Sequence, residues 1–162
     1  HSILSLKNHR YKIIVIDNGS TNHSIERLKE YLTTLSISTN KISLLEVNNN
    51  KGYGYGINTG IKFALATDDC NYLWVLNNDV RVSNNCLSRL INCCTYDTIV
   101  TPSVYDYDKI SVVQSLGCKI NPITLTTRNI LNNINKKIDY ISGVSLFFNK
   151  SCELICELIT GS

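Results

Sequence analysis

The chain has 162 residues, of which 43% are hydrophobic and 18% charged, and its formal net charge is +3 at pH 7. This composition is too hydrophobic for a disordered region, and a domain of this length can bury a sizeable core. No apolar run of about 18 residues occurs and no basic segment leads into an apolar stretch at the N-terminus, so neither a membrane span nor a signal peptide is predicted. The basic residues are scattered along the chain, which gives no support to nucleic-acid binding.

Three successive β-loop-α units are predicted in the first 97 residues. Near-continuous apolar runs predict the strands, and apolar residues at helical spacing predict the helices. The predicted strands are 11–16, 42–47 and 72–76, and the predicted helices follow Ser24 (apolar at Ile25, Leu28, Leu32 and Leu35) and span 57–66 and 84–94. The predicted fold is α/β, with an open mixed sheet that is mainly parallel and has helices on both faces.

The loops after parallel strands lie along one edge of such a sheet, where ligands bind. We therefore expect three polar clusters to converge there: Asp17, the Gly/Asn-rich loop 48–56, and 77–79. Beyond residue 97 the sequence predicts strands at 98–104, 111–120 and 140–148, a long polar loop at 121–137 of the kind that covers an active site, and a helix at 151–159. No linker is visible, so 1–162 is predicted to be a single domain.

Seven cysteines, an odd number, form no C-x2-C pair, which favours reduced thiols in a cytoplasmic protein. Cys152 and Cys156 stand four residues apart, but with no histidine nearby we assign them no metal chemistry. The chain begins with His, contains no Met and ends in Gly-Ser, so we expect it to be a fragment.

The first two clusters have chemistry of their own. Asp17 ends a strand, where its carboxylate can accept hydrogen bonds from a ligand or from its own turn. The second cluster joins glycines, Lys51 and a helix N-terminus, which together favour a phosphate group. Its G-x-G-x-x-x-G string from Gly54 to Gly60 partly resembles a dinucleotide fingerprint, so an NAD-type oxidoreductase is kept as an alternative.

The third cluster is Asn77-Asn78-Asp79. One carboxylate flanked by amides can hold Mg²⁺ or Mn²⁺ when water and ligand phosphates complete the coordination. Such an ion neutralises a diphosphate leaving group. The alternative is a strand-ending turn in which Asp79 caps the next helix.

Four strings in this order resemble glycosyltransferase family 2, the inverting GT-A transferases. They are IIVIDNGSTNHS (13–24), NNNKGYGYGINTGIKFA (48–64), YLWVLNNDV (72–80) and YISGVSLFFNK (140–150). The L-N-N-D-V form is most similar to the rhamnosyltransferase-like branch that builds bacterial surface polysaccharides.

The resemblance implies a donor and an acceptor side. Residues 1–97 would form the nucleotide-binding half and 98–162 part of the acceptor half. Asp17 would contact the base of the donor nucleotide, and Asn78 would occupy the place of the ribose-binding acid. The other residues lining the nucleotide would be Asn50, Lys51, Gly52, Gly54 and Asn58. Asp79 would hold Mg²⁺ or Mn²⁺, and Ser142 and Gly143 would lie beside the donor sugar and acceptor.

Two departures from the family pattern concern the ends of the chain. The family's first strand is missing, and so is the acidic pair that supplies the general base, for which Glu153 and Glu157 are poor substitutes. No catalytic base is assigned, and we expect this chain to be inactive alone.

The resemblance predicts transfer from a UDP- or dTDP-sugar to a hydroxyl of a saccharide or lipid-linked acceptor. The predicted setting is the cytoplasm, with peripheral association at the inner face of the membrane. A non-catalytic, degenerate transferase domain that serves as an assembly partner is the second alternative.

Overall fold

The computed structural model describes residues 3, 4, 6, 9–34, 41–67, 70–132 and 137–152. They form two compact units, one within Asn8–Asn71 and the other within Tyr72–Cys152 together with the described residues before residue 8. The single domain with halves at 1–97 and 98–162 stays a prediction.

The first unit contains two β-loop-α repeats. Its elements are β1 (Ile13–Asn18), α1 (Ser24–Thr34), β2 (Ile42–Val47) and α2 (Tyr53–Thr67). β1 and β2 pair in parallel from Ile13 opposite Ile42 to Asn18 opposite Val47, as predicted. The carboxyl ends of both strands therefore lie at the same edge, which places the loops after them side by side.

Helix α2 packs directly against β1. A side chain at Gly60 would overlap the Ile16 side chain, so glycine allows this close approach. Ile61 and Ala64 are buried on the same helix. On α1 the predicted positions Ile25, Leu28 and Leu32 are half-buried among exposed neighbours, whereas Leu35 lies outside the described residues.

The second unit is built on short strands. Its elements are β3 (Tyr72–Leu76), α3 (Cys86–Cys93), β4 (Ile99–Val100), β5 (Val104–Tyr105), β6 (Val113–Ser115), β7 (Cys118–Ile120), β8 (Thr127–Asn129) and β9 (Ser145–Asn149). β9 lies between β3 and β4 and runs antiparallel to both. β5 pairs with β6 and β7 with β8, again antiparallel.

Phe147 and Phe148 on β9 are almost fully buried and centre the core of this unit. Tyr72 stacks on Phe147 with ring centroids 5.2 Å apart, and Trp74 meets the same ring edge-on at 6.1 Å. Trp74 Nε1 donates to the buried Ser145 hydroxyl at 2.9 Å. Both aromatic side chains of β3 are thereby fixed on β9.

An α/β architecture is observed, but the expected mainly parallel sheet is not. Among the described strands only β1 and β2 pair in parallel, and β3 joins β9 in antiparallel orientation. An apolar run predicts that β9 is buried, as Phe147 and Phe148 are, but it does not encode the direction of the neighbouring strands, so the antiparallel pairing could not be predicted from it. The predicted strand 140–148 is limited to Ser145–Asn149, with Tyr140 forming a single bridge to Cys118.

Other boundaries also differ from the prediction, beginning with β1, which spans Ile13–Asn18 and not 11–16. The predicted loop 121–137 contains β8, which pairs with β7. The two strands predicted at 98–104 and 111–120 divide into β4, β5, β6 and β7. The predicted helix 151–159 lies, except for its first two residues, outside the described part of the chain. Among the described residues there is no helix with the length and apolarity needed to cross a membrane.

Candidate functional site

Asp17 and Asn18, at the carboxyl end of β1, form hydrogen bonds with different loops. Consecutive strand residues point to opposite faces. Asp17 Oδ2 accepts the Ser20 N–H at 3.1 Å and closes the turn toward α1. Asn18 instead reaches the loop between β2 and α2, where its Nδ2 donates to the Gly52 carbonyl at 2.8 Å.

Asp17 lines an open pocket of about 250 Å³. The turn 20–24 and the start of α1 form one wall, and Lys29 and Glu46 close the other with an ion pair of 2.6 Å. The carboxylate of Asp17 is therefore committed to its own turn and borders a polar, solvent-open recess. This arrangement suits both alternatives considered for Asp17, turn closure and ligand contact.

Asn18 organises the loop after β2. Its Nδ2 also donates to Asn50 Oδ1 at 3.2 Å, and that same oxygen accepts the Gly52 N–H at 2.9 Å. Because both partners of Nδ2 are acceptors, the orientation of the Asn18 amide is fixed. Its Oδ1 is buried and has no hydrogen-bond partner within the described part of the chain.

Two glycines allow these loops to approach each other. Gly19 has φ +76°, and a Cβ there would lie 2.6 Å from the Asn50 backbone nitrogen. Gly52 has φ +93° but open space around it. Both positions favour glycine for their left-handed backbone, and Gly19 also because no side chain fits.

The predicted nucleotide-binding residues further along the loop are exposed. Lys51 Nζ lies 4.8 Å over the Tyr55 ring, a cation-π contact at the surface. Gly54 lies in the first turn of α2 with open space beside it, and Asn58 is half-buried one turn later.

The glycines of the predicted loop 48–56 are placed differently from the expectation. α2 begins at Tyr53 and not at residue 57, so Gly54, Gly56 and Gly60 all lie within the helix. A dinucleotide fingerprint needs its first glycines in a tight turn before the helix. The NAD-type alternative is therefore not favoured.

In the second unit the turn after β3 meets the segment before β9. Leu76 is opposite Ser145, and the Asn77 N–H donates to the Val144 carbonyl at 3.0 Å. Asn78 and Asp79 thus follow β3 at the end of the sheet where Ser142 and Gly143 lead into β9. The structure brings together these four predicted residues.

The side chains of Asn78 and Asp79 are exposed. Within the described residues neither forms a hydrogen bond or an ion pair, so their oxygens are available to a ligand. No group of three His, Cys, Asp or Glu side chains that would hold a metal occurs in the described part of the chain. A divalent cation fits Asp79 only if ligand oxygens and water complete its coordination, as Mg²⁺ and Mn²⁺ accept.

The sequence analysis missed Asn18. The alternation of side chains along a strand could have indicated it. If Asp17 closes its own turn, Asn18 must point to the opposite face of β1, toward another loop. The remaining predicted residues stay candidates: Asp17, Asn50, Lys51, Gly52, Gly54 and Asn58 in one unit, and Asn78, Asp79, Ser142 and Gly143 in the other.

Comparisons with known proteins agree with the motif pattern at the level of the family. The family model described as Glycosyl transferase family 2 matches residues 1–154. Searches of curated proteins and of solved structures gave no match. Since the matched region covers almost the whole chain, this protein belongs to glycosyltransferase family 2.

Proposed function

We propose that this chain binds a UDP- or dTDP-sugar together with Mg²⁺ or Mn²⁺, and that it belongs to an inverting glycosyltransferase of the rhamnosyltransferase-like branch. Family membership implies a GT-A α/β fold, a nucleotide-sugar donor and an acceptor. The proposed acceptor is a saccharide or lipid-linked hydroxyl in bacterial polysaccharide synthesis. The proposed setting is the cytoplasm, at the inner face of the membrane.

The observation that carries this proposal is the arrangement around Asp79. A carboxylate and an amide, neither engaged by the described residues, follow β3 at the end of the sheet where Ser142-Gly143 leads into β9. A turn that served folding alone would use these side chains to satisfy its own backbone, as Asp17 does with Ser20. This contrast supports the proposal that Asp79 binds a ligand.

The donor nucleotide is proposed to contact Asp17 and the loop that Asn18 ties down. The loop offers Lys51 as a point charge, the Gly52 backbone, and Gly54 with open space above the start of α2. Asn50 and Asn58 complete the proposed lining. Since a helix N-terminus favours negative charge, the start of α2 adds to the attraction for a diphosphate.

The proposed reaction is a direct displacement. The acceptor hydroxyl attacks the anomeric carbon, the bond from that carbon to the diphosphate oxygen breaks, and the hydroxyl proton passes to a base. A cation at Asp79 supplies charge neutralisation of the leaving diphosphate. The chain's own residues bind the donor: Asp79 and Asn78 at the diphosphate and ribose, and Ser142 with Gly143 beside the sugar.

Thermal unfolding with different nucleotides tests the proposal. UDP with Mn²⁺ is expected to raise the melting temperature, and Asp79→Asn is expected to remove most of that rise. Stabilisation by NADH, with none by UDP and Mn²⁺ or dTDP and Mn²⁺, would overturn the proposal. Asp97→Asn, an exposed aspartate of the same unit, serves as the matched control.

A further inference from the structure

The hairpin β7–β8 carries an aliphatic tip. We define the hairpin tip as residues 121–126, between Ile120 of β7 and Thr127 of β8. Ile123 is 90% exposed and Leu125 is 76% exposed. Two neighbouring aliphatic side chains this far in water are unusual for a turn, where polar residues predominate.

Hydrogen bonds hold the backbone of the hairpin tip in a defined turn. The Asn121 N–H donates to the Thr126 carbonyl at 2.8 Å, and the Leu125 N–H donates to the Asn121 carbonyl at 2.9 Å. Asn121 Oδ1 accepts the N–H groups of Ile123 and Thr124 at 2.9 and 3.2 Å. Leu125 keeps a left-handed φ of +55°, which is unfavourable for leucine. The backbone bonds of the tip are thus satisfied while its apolar side chains have no cover.

Basic residues predominate in the sequence around the hairpin tip. Residues 109–138 contain five Lys and Arg and no Asp or Glu, whereas in the rest of the chain eleven basic residues face thirteen acidic ones. Lys119 and Arg128 are directly opposite each other on β7 and β8. Asp139 pairs with Lys119 at 2.9 Å, but Arg128 is exposed and has no ion-pair partner in the described part of the chain.

We propose that the hairpin tip inserts Ile123 and Leu125 into the interface of a membrane that contains anionic lipid, with Arg128 at the lipid phosphates. Aliphatic side chains flanked by cations are the combination that binds such interfaces. A second copy of the chain fits less well, because two side chains fall far short of the roughly 800 Å² per partner of a stable protein interface. This surface goes beyond the donor site and does not depend on it.

Vesicle sedimentation with the full 162-residue chain tests the proposal. The chain is expected to pellet with phosphatidylcholine vesicles that contain about a third phosphatidylglycerol, and at least tenfold more weakly with pure phosphatidylcholine. The double variant Ile123→Ser/Leu125→Asn is expected to lower the partition coefficient at least tenfold. Arg128→Gln is expected to lower it about fivefold.

A matched control is Ile110→Ser, because Ile110 is 78% exposed in the turn between β5 and β6. This variant is expected to bind vesicles as the unchanged chain does. Should the double variant not fold, Leu125→Asn alone replaces it, since asparagine tolerates the left-handed conformation better than leucine.

Several outcomes would overturn the proposal. They are absence of binding to the anionic vesicles, binding that the tip variants leave unchanged, and an equal loss in Ile110→Ser. A fourth is a dimer in light scattering that the tip variants dissociate, since this would assign the surface to a second copy.

Discussion

The predicted site residues in the two units differ in what their side chains already bind. In the first unit Asp17 closes its own turn, and Asn18 joins Asn50 and Gly52 into one network. In the second unit Asn78 and Asp79 extend into solvent without partners among the described residues. The first group is held in place by the protein, and the second is the group that we propose binds a ligand. Substitutions in the first should therefore change stability, and those in the second should change binding alone.

The largest effect is expected from Gly19→Ala, because it adds both a left-handed backbone penalty and a clash with the Asn50 backbone. We expect a loss of about 2–4 kcal/mol in the free energy of unfolding. Gly52 in the loop and Gly54 in the first turn of α2 are controls. Gly52→Ala should cost about 1 kcal/mol from its backbone alone, and Gly54→Ala, in a helix with open space, should not destabilise.

Urea unfolding followed by circular dichroism measures this series, since the single tryptophan, Trp74, lies in the other unit. Equal losses in all three variants would contradict the close approach of the two loops. Gly54→Ala is also informative with ligand. If the nucleotide packs at the start of α2, this variant should weaken UDP binding while its stability is kept.

The next effect is expected from Asp79→Asn, which removes the one carboxylate of the 77–79 turn. We expect at least a tenfold loss of UDP affinity in the presence of Mn²⁺, about 1.4 kcal/mol, because the cation loses its protein ligand. The free energy of unfolding should stay within about 0.5 kcal/mol, as for a surface residue without partners. Calorimetric titration and urea unfolding give the two values, and a destabilised variant with unchanged UDP binding would make Asp79 a structural residue.

A smaller effect is expected from Asn18→Ala, which leaves the Gly52 carbonyl and Asn50 Oδ1 without their donor. The expected cost is about 1–2 kcal/mol. Asn18→Asp should cost at least as much at pH 7, because a carboxylate would face two oxygens. The matched control is Asn49→Ala in the same loop. Equal stability of Asn49→Ala and Asn18→Ala in urea would contradict a stabilising role of the Asn18 hydrogen bonds.

The smallest effect is expected on the stability at low pH, through Asp139. The Ile120 N–H and then Lys119 hold the pKa of Asp139 below its usual range. Since the folded pKa lies below the unfolded one, the stabilisation is complete above the unfolded value and is lost as pH falls, below about pH 4. Asp139→Asn should flatten the acid side of the stability curve slightly. Asp108→Asn is the control, and identical curves for Asp139→Asn and the unchanged chain would contradict the role of Asp139.

Strands β2 and β3 could be predicted from the sequence to the residue, because each is an apolar run between polar turns. The start of α2 could not, since Gly54 and Gly56 suggest a loop and glycine is a poor helix former, yet both lie in the helix. β8 could not either. Its sequence, Thr-Arg-Asn, is fully exposed and has no apolar alternation, and the strand depends on backbone pairing with β7.

The candidate site divides in the same way. The polar residues at the end of β3 made Asp79 a candidate, and the resemblance to the family implied a place for Ser142 and Gly143 beside the donor sugar. The part played by Asn18 depends on a contact with Gly52 across 34 residues, which no local pattern encodes.

The central claim is that Asp79 and a divalent cation together bind the diphosphate of a nucleotide donor. The most direct measurement is calorimetric titration of the chain with UDP in Mn²⁺ and, separately, in EDTA. The account predicts binding at least tenfold tighter with Mn²⁺ than with EDTA, and no such difference in Asp79→Asn. Equal affinity in Mn²⁺ and EDTA for the unchanged chain would contradict it.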